Sequence, residues 1–330
     1  MSLSTPLKNS INQIIANEFG LVKNKLINID FNDQYITKLV KEVTSTSKNG
    51  KLLRPILTLL IGKLAPSYND IIKLNIVNMS IAIELLHTAS LIHDDIVDNA
   101  TYRRGEKSFN NLYGNDMAVM MGDIIFAKSA MYVCETKNIE VVNKFANTII
   151  DLSMGQLHEM NSRNDLSQDK NNYFYRIEKK TASLFETATW SGGELAGFDQ
   201  NHSDMLKNFG KNLGYAFQIF DDIKDFMELE SQNISGKNVG LDISNGIFTL
   251  PIILSFEQDR KNNPVNLYNL KNKAININQL RIYLSDNDFI TQSVEIGNEY
   301  INKAKTSLAS FEFMELKNIL YKIADSIKSN

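Results

Sequence analysis

Two long apolar runs with helical spacing, Ile81 to Ile92 and Leu213 to Phe220, each end in the same acidic cluster. The first is His93-Asp94-Asp95-Ile96-Val97-Asp98 and the second is Phe220-Asp221-Asp222-Ile223-Lys224-Asp225. Residues four apart share a helix face, so Asp94 and Asp98 point one way, as do Asp221 and Asp225. Like charges at that spacing repel, each pair costing a helix about a few tenths of a kcal/mol. A cation between the two clusters removes that cost. Six carboxylates facing each other across a cavity suit a hard, oxygen-seeking divalent ion, with Mg2+ the first candidate. A single cluster of this kind is weak evidence, because solvated helix faces collect acids. A pair, each copy beside an apolar stripe rather than inside a charge run, is far more specific.

Helical periodicity dominates the rest of the chain. It predicts helices at 9–27, 33–47, 51–64, 69–98, 116–134, 139–161, 172–195, 203–230 and 249–260, then 276–284, 289–308 and 312–328. No alternating strand pattern stands out. Breaks are expected at Asn49-Gly50, Pro66-Ser67, Arg104-Gly105, Gly192-Gly193 and 235–246. The polar stretch 231–246, with Gly236, Gly240 and Gly246, directly follows the second acidic cluster and is a candidate lid. The expected fold class is all-α, with ten or more helices packed around a central cavity.

The 330 residues are 43% hydrophobic and 22% charged, enough to build a large core. Five prolines and no Gly/Ser-rich linker favour one domain over 1–330. A net charge of −3 gives no electrostatic case for nucleic acid. No run of about 18 uncharged apolar residues is present, and no basic-then-apolar leader opens the chain, so no transmembrane segment is expected. The one cysteine, Cys134, lies in an apolar helical stretch and reads as a buried thiol in a reducing cytoplasm.

Basic residues near the clusters fall in short motifs. Gly50-Lys51-Leu52-Leu53-Arg54-Pro55 opens a helix, Arg103-Arg104-Gly105 follows the first cluster, Lys179-Lys180-Thr181 lies between the clusters, and Lys237 lies in the polar loop. Arginine forks and lysine ammonium groups are what diphosphate oxygens require. His87 lies two turns before Asp94 on nearly the same face, and Gln218 lies one turn before Asp221. Acids holding metal, metal holding a diphosphate and bases holding that diphosphate and a second one would serve chemistry in which diphosphate leaves. Apolar walls would keep water from the cation left behind.

These motifs, in this order, resemble those of the trans-isoprenyl diphosphate synthases, in their polyprenyl (octaprenyl-like) branch. The resemblance runs from Asn49-Gly50-Lys51 to Thr249-Leu250-Pro251. It implies the isoprenoid synthase fold and a homodimer. It implies about three Mg2+ ions, replaceable by Mn2+, on Asp94, Asp95, Asp98, Asp221, Asp222 and Asp225. It assigns the allylic diphosphate to Arg103, Lys180, Thr181, Gln218 and Lys237, and isopentenyl diphosphate to Lys51, Arg54, His87 and Arg104. The implied reaction is ionisation of the allylic diphosphate, attack by the isopentenyl double bond and loss of a proton to pyrophosphate. Release of a greasy product implies transient membrane contact. A lysine common before the Thr-Leu-Pro motif is replaced by Ile247, which puts one auxiliary phosphate contact in doubt. Gln156, in Gly155-Gln156-Leu157-His158-Glu159, reads as a supporting residue.

With the diphosphate pinned at Asp94, the growing tail should run alongside the helix that carries it. Ala89 and Ser90 lie about one turn before Asp94. Short-chain relatives commonly place an aromatic ring at these two positions, and here both residues are small. The expected product is therefore C30–C45, of the kind used in quinone side chains, with Phe145 and the Met120–Met121 pair as candidate floor. A short-chain synthase, a terpene cyclase and a non-catalytic subunit of a heteromeric synthase are the rivals. The intact second acidic cluster and the bases beside it argue against the last two.

Overall fold

The computed structural model describes residues 4–46, 52–103, 105–227, 241–258, 260, 263–265 and 277–328. Almost all of them are helical. The order is α1 Thr5–Ile27, α2 Gln34–Thr46, α3 Leu53–Lys63, α4 Asp70–Val97, a short hairpin, α5 Phe109–Tyr113, α6 Asn115–Cys134 and α7 Ile139–Asn161. Next come α8 Lys170–Ile177, a π turn Glu178–Ala182, α9 Ser183–Leu195, α10 Gln200–Met227, α11 Leu241–Ser244 and α12 Leu250–Gln258. Helices Ile277–Asp286, Phe289–Ser307 and Met314–Ser326 complete the fold.

Helix α4 is central because it is apolar nearly all round, and such a helix must be buried. It packs along α6 and against α1, α3 and α9. Its start is set by Asn69, whose side chain accepts hydrogen bonds from the Ile71 and Ile72 amides at 2.9 and 3.0 Å. A second apolar cluster gathers around Tyr173, Ile219, Phe248 and Phe256 and meets the first at Phe220 and Tyr300. Helix α4 lies in the first cluster, whereas α10 spans both, with Leu206, Phe209, Leu213 and Ala216 in the first and Ile219, Ile223 and Phe226 in the second; α9 packs against both helices.

Several expectations need correction. Tyr102–Arg103 pairs antiparallel with Glu106–Lys107 as a short hairpin, with Gly105 at φ 86° before the second strand. It is too short to show an alternating pattern. Gly192-Gly193 is no break: both glycines lie inside α9, where they let α3 and α10 approach closely. The stretch 172–195 is not one uniform helix but is interrupted by the π turn. Cys134 is exposed, not buried, because it falls on the outer face at the last turn of α6. Met120 is 57% exposed and cannot close a tunnel within this chain, whereas Met121 and Phe145 are buried. Helices α4 and α6 are long and apolar enough, by length and composition, to cross a membrane. The apolar stretch of α4 is 78% buried inside the fold and that of α6 only 33%.

Candidate active site

A cavity of about 640 Å³ opens between α3, α4, α7, the π turn, α9 and α10. On α4 it is lined by Glu84, His87, Leu91, Asp94 and Asp98, alternating steps of three and four that form one helical stripe, with Ser90 beside it. Asp221 and Asp222 line it from α10. The structure thus brings the two acidic clusters to one space. Asp95, by contrast, does not line the cavity. The side chain of Asp225 and residues Lys51, Arg104 and Lys237 lie outside the described residues, as does most of the candidate lid.

The first cluster sits at the C-terminus of α4, with Asp98 as its C-cap, where unpaired carbonyls concentrate partial negative charge. The carboxylates add to it, and cations gather in response. The hairpin turns Arg103 back onto Asp95, whose Oδ1 accepts from Arg103 Nε at 2.8 Å. Lys180 donates to Glu159, and Arg163 donates to Asp98 Oδ1 at 2.6 Å. Burial pushes the Asp94 carboxyl up to about 6, with Lys180 and Arg103 opposing the shift. Burial works against the Lys180 ammonium, but Asp94 and Glu159 outweigh it and hold its pKa above the ordinary value.

Lys180 and Thr181 ride on the π turn, a rare form that often marks functional sites. Neighbouring backbones hold it tightly. A Cβ on Gly155 of α7 would come within 2.7 Å of Lys180 N, and one on Gly214 of α10 within 2.5 Å of Ala182 Cα. From this turn a hydrogen-bonded chain runs inward. Thr181 Oγ1 donates to Gln218 Oε1 at 2.6 Å, and Gln218 Nε2 donates to Asp222 Oδ1 at 2.7 Å. The fully buried Tyr173 hydroxyl donates to Asp222 Oδ2 at 2.7 Å. Both Asp222 oxygens are therefore engaged by protein donors, and burial raises its pKa to about 8. Thr181, having donated its proton, presents only acceptor lone pairs to other neighbours.

Also on the lining, Arg54 stacks with its guanidinium carbon 4.3 Å from the Phe185 ring centroid. Leu52, just before α3, adopts a left-handed φ of 50°, a strain seen at functional sites. His87 and Glu84 face the same space. Part of the wall is apolar, formed by Leu91, Leu152, Leu184, Phe185 and Phe217. Ser90 lines it, its Oγ donating to the His87 carbonyl at 2.8 Å. Ala89 instead is fully buried in the main core and, like Phe145, does not line the cavity. Gln156 buries both amide atoms without a hydrogen-bond partner, also off the cavity.

Four charged lining residues, Glu84, Glu159, Arg176 and Asp242, had no role in the sequence reading. Asp242 enters from α11, where burial raises its pKa to about 6. Glu159 and Arg176 are both buried and lie 3.8 Å apart. Glu159 stood in view, ending the same pentapeptide as Gln156. Asp242 stood two residues past Gly240, with only loop proximity to flag it.

Among the described residues, no three carboxylates or imidazoles converge closely enough to cage an ion unaided. Buried acids on facing walls nevertheless fit Mg2+. That ion keeps several waters and takes one or two carboxylates together with substrate phosphate oxygens.

The model of the family described as polyprenyl synthetase matches residues 33–283. The chain belongs to the polyprenyl synthetase family, and it is a prenyltransferase. A prenyl transferase of Cyanidium caldarium is 32% identical, covering 92% of this chain and 94% of its own. Solanesyl-diphosphate synthase 2 (chloroplastic) of Oryza sativa subsp. japonica is 34% identical over 64% of this chain; the match spans 53% of that longer protein. A decaprenyl diphosphate synthase from Rhodobacter capsulatus superposes with a TM-score of 0.88 at 26% identity, covering 97% and 98% of the two chains. The helical architecture is that of the isoprenoid synthase fold.

Proposed function

We propose that this prenyltransferase is a Mg2+-dependent polyprenyl diphosphate synthase that adds isopentenyl diphosphate head-to-tail onto an allylic diphosphate, giving an all-trans C30–C45 chain of the kind used in quinone side chains. The observation that carries this is a single cavity lined by acids from both clusters, by Arg54, His87, Arg103 and Lys180, and by apolar side chains. Asp94, Asp98 and Asp221 would hold the ions, which when bound supply charge neutralisation to a departing diphosphate. Arg103 and Lys180 stand beside those acids to receive the allylic diphosphate. Arg54 and His87 face the second diphosphate. The apolar wall excludes water while the allylic C–O bond breaks and the isopentenyl double bond attacks. A proton then leaves the new carbon chain for the released diphosphate. Thr181 offers lone pairs to the positive charge that develops.

We read the working protein as a homodimer. Exposed apolar side chains repeat along α7 at Ile150, Met154 and Leu157, and Met120 and Met131 add to them on α6. Such a face on two neighbouring helices suits a second copy of the chain. Sedimentation of Leu157→Glu against the parent protein checks it.

Michaelis constants test the assignment of the two diphosphates. Arg103→Ala and Lys180→Ala should chiefly raise KM for the allylic substrate, and His87→Ala and Arg54→Ala that for isopentenyl diphosphate. Each lost charge-assisted contact is worth roughly 1.5–3 kcal/mol, or about one to two decades. The same pattern in all four variants would refute the division.

A further inference from the structure

Arg163 lies outside every motif that marks the site. It sits in the turn after α7, and its guanidinium reaches across 65 positions of sequence to Asp98 Oδ1. The two side chains are 27% and 24% exposed, so the pair is partly shielded from water. Arg163 Nε is buried and has no hydrogen-bond partner. The turn itself is fixed from two other directions. The Gln168 side-chain amide donates to the Ser162 carbonyl at 2.7 Å. The Asn164 N–H donates to the Gly246 carbonyl at 2.8 Å. Gly246 has φ 73°, and a Cβ there would come within 2.4 Å of the Asn164 amide oxygen. Gly246 closes the short segment that carries Asp242 and precedes Ile247 and Thr249, all three of which line the cavity. Two adjacent residues, Arg163 and Asn164, therefore join the first acidic cluster to the wall that follows the second.

We propose that the turn 162–164 is a strut joining Asp98 to the Asp242–Thr249 wall, with Arg163 the positioning residue for Asp98. The inference rests on the reading of this site as a metal and diphosphate centre. A carboxylate that holds an ion is itself held by hydrogen bonds, and losing such support typically lowers metal affinity 10- to 100-fold. A charge-assisted bond to Oδ1 leaves Oδ2 of Asp98 for the ion. It also offsets repulsion between Asp98 and Asp94 at the negative end of α4. Through Asn164, the same turn keeps the Asp242–Thr249 wall in register with Asp98.

The test titrates Mg2+ into the full chain at fixed inorganic pyrophosphate and reads the thermal midpoint. The parent protein is compared with Arg163→Met, Arg163→Gln and Arg163→Lys. Met keeps the aliphatic bulk, Gln keeps donors without charge, and Lys keeps the charge. The Mg2+ half-saturation point should rise about 10- to 100-fold in the Met and Gln variants and return most of the way in Lys. The midpoint without metal should stay near that of the parent, as should KM for isopentenyl diphosphate. A lower metal-free midpoint with unchanged Mg2+ half-saturation would make Arg163 merely structural and overturn the proposal. A lower half-saturation would also overturn it, since Arg163 would then be competing with the ion. If the parent protein shows no Mg2+-dependent stabilisation by pyrophosphate, the metal reading fails and this inference fails with it.

Discussion

Asp94 and Asp222 carry the same side chain and meet different partners. Asp94 faces the cavity, with Lys180 acting on it through charge. Asp222 has both oxygens taken, by Tyr173 and Gln218. Their variants should therefore differ in kind. Asp94→Ala should leave a folded protein that has lost turnover by several orders of magnitude, because an ion ligand is gone and a repulsive charge with it. Tyr173→Phe removes one buried hydrogen bond to a carboxylate, worth about 1.5–3 kcal/mol. It should lower kcat by roughly one to two decades while both Michaelis constants change little. Steady-state kinetics separates the two. Near-normal turnover of Asp94→Ala at saturating Mg2+ would remove the metal role. The spacing of the motifs in sequence marked Asp94 and Asp222 equally. It could not show that a tyrosine 49 residues away claims one of them. Such partners are set by tertiary packing, and Arg163 and Asp242 were invisible for the same reason.

Among elements, α4 was the most legible. Its apolar run and acidic end predict 69–98, against an observed Asp70–Val97. Its 28 residues make it about 42 Å long. The face of each residue was less legible, because a helix buried on most sides has no single apolar stripe to read. Ala89 and Ser90 look equivalent in sequence, yet Ala89 is in the core and Ser90 lines the cavity. This gives a paired prediction. Ser90→Phe should fold and still condense, but stop near C15–C20, since the ring fills the apolar space and not the diphosphate sites. Ala89→Phe should lose about 1–3 kcal/mol of stability through overpacking. Product chromatography and thermal scans read the two outcomes. Unchanged product length in Ser90→Phe would place the tail elsewhere. The π turn had no sequence signal at all. It depends on Gly155 and Gly214, which come from two other helices.

For the whole molecule, the acids of the cavity store instability until cations arrive. Burial raises Asp94 and Asp242 to about 6 and Asp222 to about 8, from an ordinary value of 3.8. Between about pH 5.5 and 8 the folded, metal-free chain holds protons on these acids that the unfolded chain has already lost, so their contribution to stability falls as pH rises through that window. Glu18 and Glu178, whose pKa values are lowered, are ionised in both states by pH 5.5 and do not reverse the trend. Thermal midpoints in chelator should drop from pH 5.5 to 8, and Mg2+ with pyrophosphate should restore most of the loss at pH 8. Asp222→Asn should flatten the upper part of the curve. A midpoint that climbs with pH in chelator would contradict this. At this scale the helical architecture around an acidic cavity was legible in the sequence, save the short hairpin, because helical period and motif order survive without knowledge of contacts. The exposed positions of Cys134 and Met120 did not, because which side of an apolar helix faces outward depends on the neighbours.

The central claim is that one cavity performs repeated, metal-dependent chain elongation. Its most direct test is a single incubation of the protein with Mg2+, labelled isopentenyl diphosphate and farnesyl diphosphate, followed by dephosphorylation and chromatography of the product. The account predicts all-trans alcohols of C30–C45 and no product when Mg2+ is chelated. No incorporation of label with Mg2+ present, or a product that stops at C20, would contradict it.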